Sequence, residues 1–416
     1  MPQVALDCLA EQLAALDAGD PQYAVEAVER LLAAGRAAGA SDIHLQPAPD
    51  ALEVKFRLDG VLQTVARLPR GLGPNVVARL KVQAELLTYR TDVPQEGRIR
   101  PNGSDVEMRL STFPALGGER AVVRFFGRSG RYERLEDLGL PADVLGGLGG
   151  LLGETSGAIL ISGPAGSGKT TTAYACLREL ARRDAEGRSL VSLEDPIEVA
   201  VPGVAQSQVN SAAGLDLATG LRFLMRQDPE VILVGEIRDR ATAEAALQGS
   251  LTGHLLLSTF HAGSAAETLG RLLDMGIEPY VLRSTLLAIL CQRLPRKLCT
   301  CARPCDDPAA RLGLPVGRVL LPAGCPACAG TGYRGRFLLV EMLSFRCGGR
   351  PEAAAELGRA VLARADTVVL ERLAVAARMT SRSQRAAEAV AAGLTSPAEI
   401  RRVLGPAGMT DSELHP

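Results

Sequence analysis

Between Gly163 and Thr170 the chain reads Gly-Pro-Ala-Gly-Ser-Gly-Lys-Thr, the spacing GxxxxGK[ST]. Glycines at these positions let backbone N–H groups turn inward around a chain of phosphates. The loop follows an apolar run, Ala158 to Ser162, and precedes a helical pattern starting near Lys169. The helix would therefore add its positive N-terminal end to the cradle. Lys169 is expected to neutralise β and γ oxygens of ATP, and the Thr170 hydroxyl to hold Mg²⁺. Gly163, Pro164, Ala165, Gly166, Ser167, Gly168, Lys169 and Thr170, with Thr171 beside them, form the candidate nucleotide-binding set.

Hydrolysis needs an acid near this loop, and two other apolar runs end in acids. Val231 to Val234 reads as a buried parallel strand followed by Gly235-Glu236. Ligands bind at the carboxyl ends of such strands, so Glu236 is placed to orient or deprotonate an attacking water. Ser189 to Leu193 ends in Glu194 and Asp195, with Glu198 after Pro196. These acids could hold Mg²⁺ through water or position the nucleophile, and spacing does not divide the roles among them. A further run, His254 to Ser258, leads to His261, a candidate sensor of the γ-phosphate in a chain with only four histidines. Five of nine cysteines lie between Cys299 and Cys328, a clustering that points to a metal site rather than disulfides in a reducing compartment. Cys8, Cys176, Cys291 and Cys347 are scattered and read as thiols without a role.

The elements that must position these groups can be read along the chain. With 416 residues, two or three domains are expected. A hydrophobic share of 47%, a charged share of 22% and a net charge of -1 describe a folded globular chain with no basic field for nucleic acid. Six Tyr, eight Phe and no Trp offer little for a base-stacking channel. Apolar runs such as Val281 to Cys291 fall short of the roughly 18–20 residues of a membrane span, and the acid-bearing N-terminus is not a secretory signal, so a cytoplasmic location is expected.

Residues 1–20 read as an extension. Over 21–127 a helix up to Arg36, a hairpin about Asp59-Gly60, a second helix from Val76 to Leu87 and three later strands, with a turn at Asn102-Gly103, make a small α+β domain. Residues 128–145 read as a linker with one short helix, 146–293 as a parallel α/β core, 294–345 as a Cys-rich element, 346–405 as a helical subdomain and 406–416 as a tail.

These pieces together resemble the secretion and pilus-assembly ATPase family, which serves type II secretion and type IV pilus extension. The resemblance spans nearly the whole chain. Beyond the phosphate loop it rests on SDIHLQP at 41–47, EGRIRP at 96–101, RLSTFPALGGERAVVR at 109–124, SLEDPIE at 192–198, LRFLMRQDPEVILVGEIRD at 221–239, TGHLLLSTFHAGSA at 252–265, RLLDMGIEP at 271–279 and GCPACAGTGYRGR at 324–336. It implies a hexameric ring whose subunits carry a PAS-like N-terminal domain and a RecA-like P-loop motor, with nucleotide between them. It also implies that Arg98 and Arg109 reach the nucleotide from the N-terminal domain, and it places Arg222, Arg226, Arg238 and Arg271 on further family arginines.

The family's zinc element pairs two CxxC motifs. Here Cys325 and Cys328 keep the second, whereas Cys299-Thr300-Cys301 is CxC with Cys305 beyond. The favoured ligand set is Cys299, Cys301, Cys325 and Cys328 on Zn²⁺, with Cys301 and Cys305 another choice, and the role is structural. The resemblance further implies a polytopic inner-membrane platform protein as partner and peripheral attachment to the membrane. A bitopic membrane partner is the second one the resemblance offers; it usually binds an additional N-terminal domain, and because this chain enters SDIHLQP almost at once, docking by that route stays open. Retraction motors usually lack the Cys-rich insert, which favours fibre extension. A DNA-uptake or conjugation-type translocase of the same superfamily is the alternative.

Overall fold

The computed structural model describes residues 2–100, 107–126, 132–183, 187–346 and 351–406. The Asn102-Gly103 turn, Cys347, part of the 128–145 linker and nearly all of the 406–416 tail lie outside them. The described chain divides into two compact units, the first comprising Met1–Arg128, Arg296–Pro304 and Leu320–Gly335, the second the remainder.

The N-terminal unit opens with helices α1 (Pro2–Ala14) and α2 (Tyr23–Ala38). Strands β1 (Asp42–Pro47), β2 (Ala51–Leu58) and β3 (Val61–Pro69) follow, then helix α3 (Gly73–Gln83) and strands β4 (Gln95–Ile99), β5 (Met108–Ala115) and β6 (Gly118–Phe125). The strands form one antiparallel sheet in the order β3-β2-β1-β6-β5-β4. The hairpin at Asp59-Gly60 forms as the sequence suggests, both residues taking positive φ (47° and 83°), the geometry of a tight primed turn. Helix α3 begins and ends earlier than its apolar pattern, because Gln83 gives way to Ala84 and Glu85, the latter at φ 57°. The first residues are more than an extension: Leu9 and Leu13 of α1 join Val28, Leu31, Phe56, Leu80 and Val123 in one buried core.

The second unit begins with α4 (Ala142–Leu151) and β7 (Gly157–Ser162), followed by α5 (Lys169–Arg183), β8 (Leu190–Glu194), β9 (Ala205–Gln208) and α6 (Leu217–Leu224). Then come β10 (Val231–Val234), α7 (Arg240–Leu251), β11 (Leu255–Phe260), α8 (Ala265–Asp274), α9 (Pro279–Thr285) and β12 (Leu286–Arg293). The glycine-rich segment expected to run from linker into core is helical in α4. Val144, Leu148 and Leu151 recur on one face and are buried, which offsets the low helix propensity of the glycines. Gly147 sits where a Cβ would come within 2.6 Å of Met342.

Short strands β13 (Arg296–Leu298), β14 (Arg303–Cys305), β15 (Val319–Leu321) and β16 (Tyr333–Arg336) come next. The chain closes with β17 (Leu339–Ser344) and helices α10 (Pro351–Leu362), α11 (Thr367–Ala376), α12 (Arg382–Ala391) and α13 (Pro397–Leu404). The large sheet runs β17-β12-β7-β11-β10-β8-β9, parallel except for β17. Alternate residues of β7 supply opposite faces: Ala158 and Leu160 face one core, Ile159 and Ile161 the other. A strand covered on both sides reads as an unbroken apolar run, as this one does.

The Cys-rich element, expected as a piece of its own, is divided. Arg296–Pro304 and Leu320–Gly335 group with the N-terminal unit, where Ala329 packs on that unit's core and Asp59 accepts the Gly335 N–H at 2.7 Å.

Candidate active site

Parallel strands bring their carboxyl ends to one edge of the sheet, and β7, β8, β10 and β11 are neighbours there. After β7 the loop 163–168 adopts the positive φ values that glycine permits, 147° at Gly163, 74° at Gly166 and 88° at Gly168. A Cβ at Gly163 would lie 2.5 Å from both the Gln292 carbonyl oxygen and Ser167 Oγ. The tight turn therefore excludes any side chain at that position. Pro164, Ala165 and Gly166 are exposed at the tip. Ser167 Oγ is buried with no hydrogen-bond partner, a polar atom in want of one inside a loop shaped for phosphate oxygens.

Lys169 opens α5 and is 8% exposed. Its Nζ donates to the carbonyls of Gly163 at 3.0 Å and Pro164 at 3.1 Å and approaches His261 Nε2 at 3.5 Å. Burial lowers its pKa, and the Glu236 carboxylate opposes that shift. Thr170 is half-buried in the first turn of α5, and Thr171 is exposed.

Glu236 follows β10, in a segment fixed against β11: Thr259 Oγ1 donates to the Gly235 carbonyl at 2.8 Å, and Ile237 N–H donates to the Thr259 carbonyl at 3.0 Å. The carboxylate is shared between two partners, His261 Nε2 at 2.8 Å on Oε1 and Arg238 at 2.8 Å on Oε2. Because a carboxylate only accepts, Nε2 of His261 carries the proton. Burial and the Lys169 ammonium, with Arg238 and Arg271, hold His261 below its ordinary pKa despite the Glu236 carboxylate. Arg271 also donates to the His261 carbonyl. Lys169, Glu236 and His261, named from three separate stretches of sequence, thus meet in one cluster.

Glu194 is placed differently from the acids at neighbouring strand ends. It is 3% exposed and accepts from the Tyr174 hydroxyl, from Ser192 Oγ at 2.5 Å and from Gln206 Nε2 at 3.1 Å. Its lone pairs are thus engaged by neutral donors, while Asp195 and Glu198 are exposed. Burial and Glu194 push the Tyr174 phenol up, so it remains a donor at neutral pH. Tyr174 carries no motif, and its only signal is a polar aromatic on the buried face of α5.

On the N-terminal unit, Arg98 and Arg109 stand directly opposite each other across β4 and β5, and Arg109 stands opposite Arg124 on β6. Like charges in register destabilise a sheet, and acids beside the row offset them. Asp42 anchors one end, holding Arg124 at 2.8 Å and Arg57 at 3.3 Å. Arg98 meets Glu107 at 3.3 Å, and Arg109 lies 4.8 Å over the Phe126 ring. Arg124 was not singled out from sequence, and only strand register reveals it.

The sulfurs of Cys299, Cys301, Cys325 and Cys328 lie within 4.8 Å of one another, and Cys305 is outside the group. The closest pairs, at 3.7, 3.8 and 3.9 Å, match the roughly 3.8 Å edge of a tetrahedron with Zn–S bonds of about 2.3 Å. Backbone N–H groups of Cys325 and Gly332 donate to Cys328 Sγ at 3.1 and 3.2 Å. The backbone amide of Cys301 draws the Cys299 thiol down to about 7, where thiolate forms at neutral pH. CxC thus reaches the same four-sulfur geometry as CxxC, and the donor set fits a structural metal.

A phosphate loop after the first core strand, with acids and a histidine at the ends of its neighbours, defines a P-loop ATPase with a RecA-like core. The sequence profile of the family described as "Type II/IV secretion system protein" matches residues 17–402. The chain is 40% identical over 395 residues to the type II secretion system protein E of Pectobacterium carotovorum subsp. carotovorum, covering 93% of this chain and 77% of that one. It is 38% identical over 400 residues to the type II secretion system protein HxcR of Pseudomonas aeruginosa, covering 96% and 81%. The chain belongs to the type II/IV secretion ATPase family. The crystal structure of the Legionella pneumophila ATPase DotB shares the fold with a TM-score of 0.65 at 21% identity, over 90% of this chain and 94% of that one. Among the described residues, no helix is long and apolar enough to cross a membrane.

Proposed function

We propose that this chain hydrolyses ATP with magnesium as a ring of six copies and uses the resulting motion to assemble a pseudopilus or type IV pilus through a membrane platform protein. The observation that carries the reading is the meeting of Lys169, His261 and Glu236 around the loop 163–170. The Thr170 hydroxyl would hold magnesium, which would supply charge neutralisation to the phosphates when bound. The loop amides and Lys169 hold the phosphates, and Ser167 Oγ offers a further polar contact. Glu236 orients the attacking water and takes its proton. His261, neutral and donating through Nε2, fixes the Glu236 rotamer. Glu194 holds Tyr174 and the end of β8 in place, a positioning role that its engaged lone pairs favour over proton transfer. Arg98 and Arg109 bring guanidinium charge to the transferring phosphoryl group when the ring closes.

This arrangement makes a prediction about pH. With His261 depressed below its usual 6.5 in the folded chain, the unfolded chain takes up a proton first as pH falls. The stability that this histidine contributes is present above 6.5 and is lost as pH drops through its folded value. Steady-state phosphate release by the purified oligomer should be flat near neutrality and fall on the acid side with a midpoint below 6.5. His261→Asn keeps a donor toward Glu236 and should remove that acid limb. A limb unchanged in the variant assigns the titration elsewhere.

The cysteine cluster is read as a structural Zn²⁺ site. Purified protein should carry about one zinc per chain, because four thiolates complete the coordination shell. Cys328→Ser should empty the site and lower the melting midpoint by roughly 2–8 °C, as expected for about 1–2 kcal/mol lost in a unit of this size. Cys305→Ser should alter neither quantity. Elemental analysis and calorimetry on the same samples decide it.

A further inference from the structure

The last two residues of β12 do different work from the apolar residues before them. Leu286 to Cys291 are buried among hydrophobic neighbours. Gln292, though an amide, is 0% exposed. Burying an amide is costly unless both its ends are bonded, and here both are. Its Nε2 donates to the Ser167 carbonyl at 2.9 Å, and its Oε1 accepts from Thr172 Oγ1 at 3.1 Å. One side chain thus ties the phosphate loop to the first turn of the helix behind it. The register explains why it can: β12 runs parallel to β7 with Cys291 opposite Ser162, so Gln292 arrives where the loop begins. Its own carbonyl is one of the atoms that forbid a Cβ at Gly163.

Successive strand residues point to opposite faces. Arg293 therefore leaves the sheet on the other side, where its Nη2 donates to the Gly263 carbonyl at 2.9 Å. Gly263 lies two residues after His261. Its N–H donates to Glu267 at 2.6 Å, and its carbonyl also takes a bond from Arg382.

We infer that Gln292 and Arg293 are a paired positioning element: Gln292 sets the shape of the phosphate loop for nucleotide binding, and Arg293 sets the loop that carries His261 for hydrolysis. The inference rests on the ATPase reading above. It predicts a division that general loss of packing would not give.

Gln292→Met keeps volume but leaves the Ser167 carbonyl without its donor, a buried loss sufficient to raise KM for ATP and the dissociation constant for ADP about tenfold. Its kcat should fall much less, about twofold. Arg293→Met should show the reverse pattern, kcat down about tenfold with the dissociation constant nearly level. Arg293→Lys retains a donor for Gly263 and should recover most of that kcat. Melting curves of each variant beside wild type identify any that fail to fold, and Arg293→Lys keeps the test open if Arg293→Met does. Wild-type kinetics in all folded variants, or equal losses of KM and kcat in both, would overturn the pairing. Absence of nucleotide binding by wild type itself would instead remove the ATPase reading.

Discussion

Glu236→Gln is expected to lower the rate of ATP hydrolysis by roughly 10²–10⁴-fold while nucleotide affinity changes by less than about twofold, the range set by loss of one general base. Glutamine has nearly the same shape, and its one amide oxygen can still accept from Arg238 or from His261, which hold the two carboxylate oxygens at 2.8 Å. What it cannot do is take a proton from water. Because Glu236 reaches the cluster from β10 and the phosphates rest on the loop after β7, the substitution leaves the binding surface untouched. Single-turnover phosphate release beside equilibrium binding separates the two quantities. A variant that keeps more than about a tenth of the wild-type rate would assign the base to another group.

Lys169→Ala should act on binding as well as on the chemical step. The ammonium is almost fully enclosed and makes two charge-assisted bonds to the loop's own carbonyls, at 3.0 and 3.1 Å. Those bonds hold it beneath the place where phosphate oxygens would sit. Alanine removes the cation and takes the Lys169 donor from both carbonyls, leaving that of Pro164 with the Ser167 N–H at 3.3 Å. With each charged hydrogen bond contributing roughly 1.5–3 kcal/mol, affinity for ATP should drop by about 10²–10⁴-fold and hydrolysis should become unmeasurable. Titration calorimetry with ATP and magnesium checks the first quantity, and phosphate release the second.

Much of this site can be read from local sequence because its parts are local. The glycine loop is contiguous, and Glu236 and His261 each follow an apolar run whose carboxyl end is their address. The cysteine cluster is equally plain, while the choice between Cys305 and its neighbours is not, and it is the sulfurs of Cys299, Cys301, Cys325 and Cys328 that converge. What escaped were residues whose meaning lies in long-range pairing. Gln292 and Arg293 end a strand like many others, and only the parallel register of β12 with β7 brings Gln292 to the loop 163–168. Arg124 joins Arg109 and Arg98 only through the register of three antiparallel strands. Glu194 is one more strand-end acid in the sequence, and its bond from Tyr174, twenty residues earlier, exists only in the fold.

The divisions of the chain were blurred for a related reason. Helix α1 reads as a preliminary segment because its partners, α2 and β3, lie beyond a break in the apolar pattern. The boundary read at residue 145 falls inside α4, because Val144 on one side of it and Leu148 and Leu151 on the other are buried in the same core. The Cys-rich segment looks self-contained in sequence, yet its two arms pack with residues that precede it by more than two hundred positions.

Every role assigned to the cluster depends on a nucleotide resting against the amides of residues 163–170. Hydrogen exchange on the wild-type oligomer, with and without magnesium and a non-hydrolysable ATP analogue, tests that directly. The expected result is slowed exchange concentrated at residues 163–170, with lesser slowing near Glu236 and His261. Unchanged exchange across residues 163–170 at saturating analogue would contradict the account.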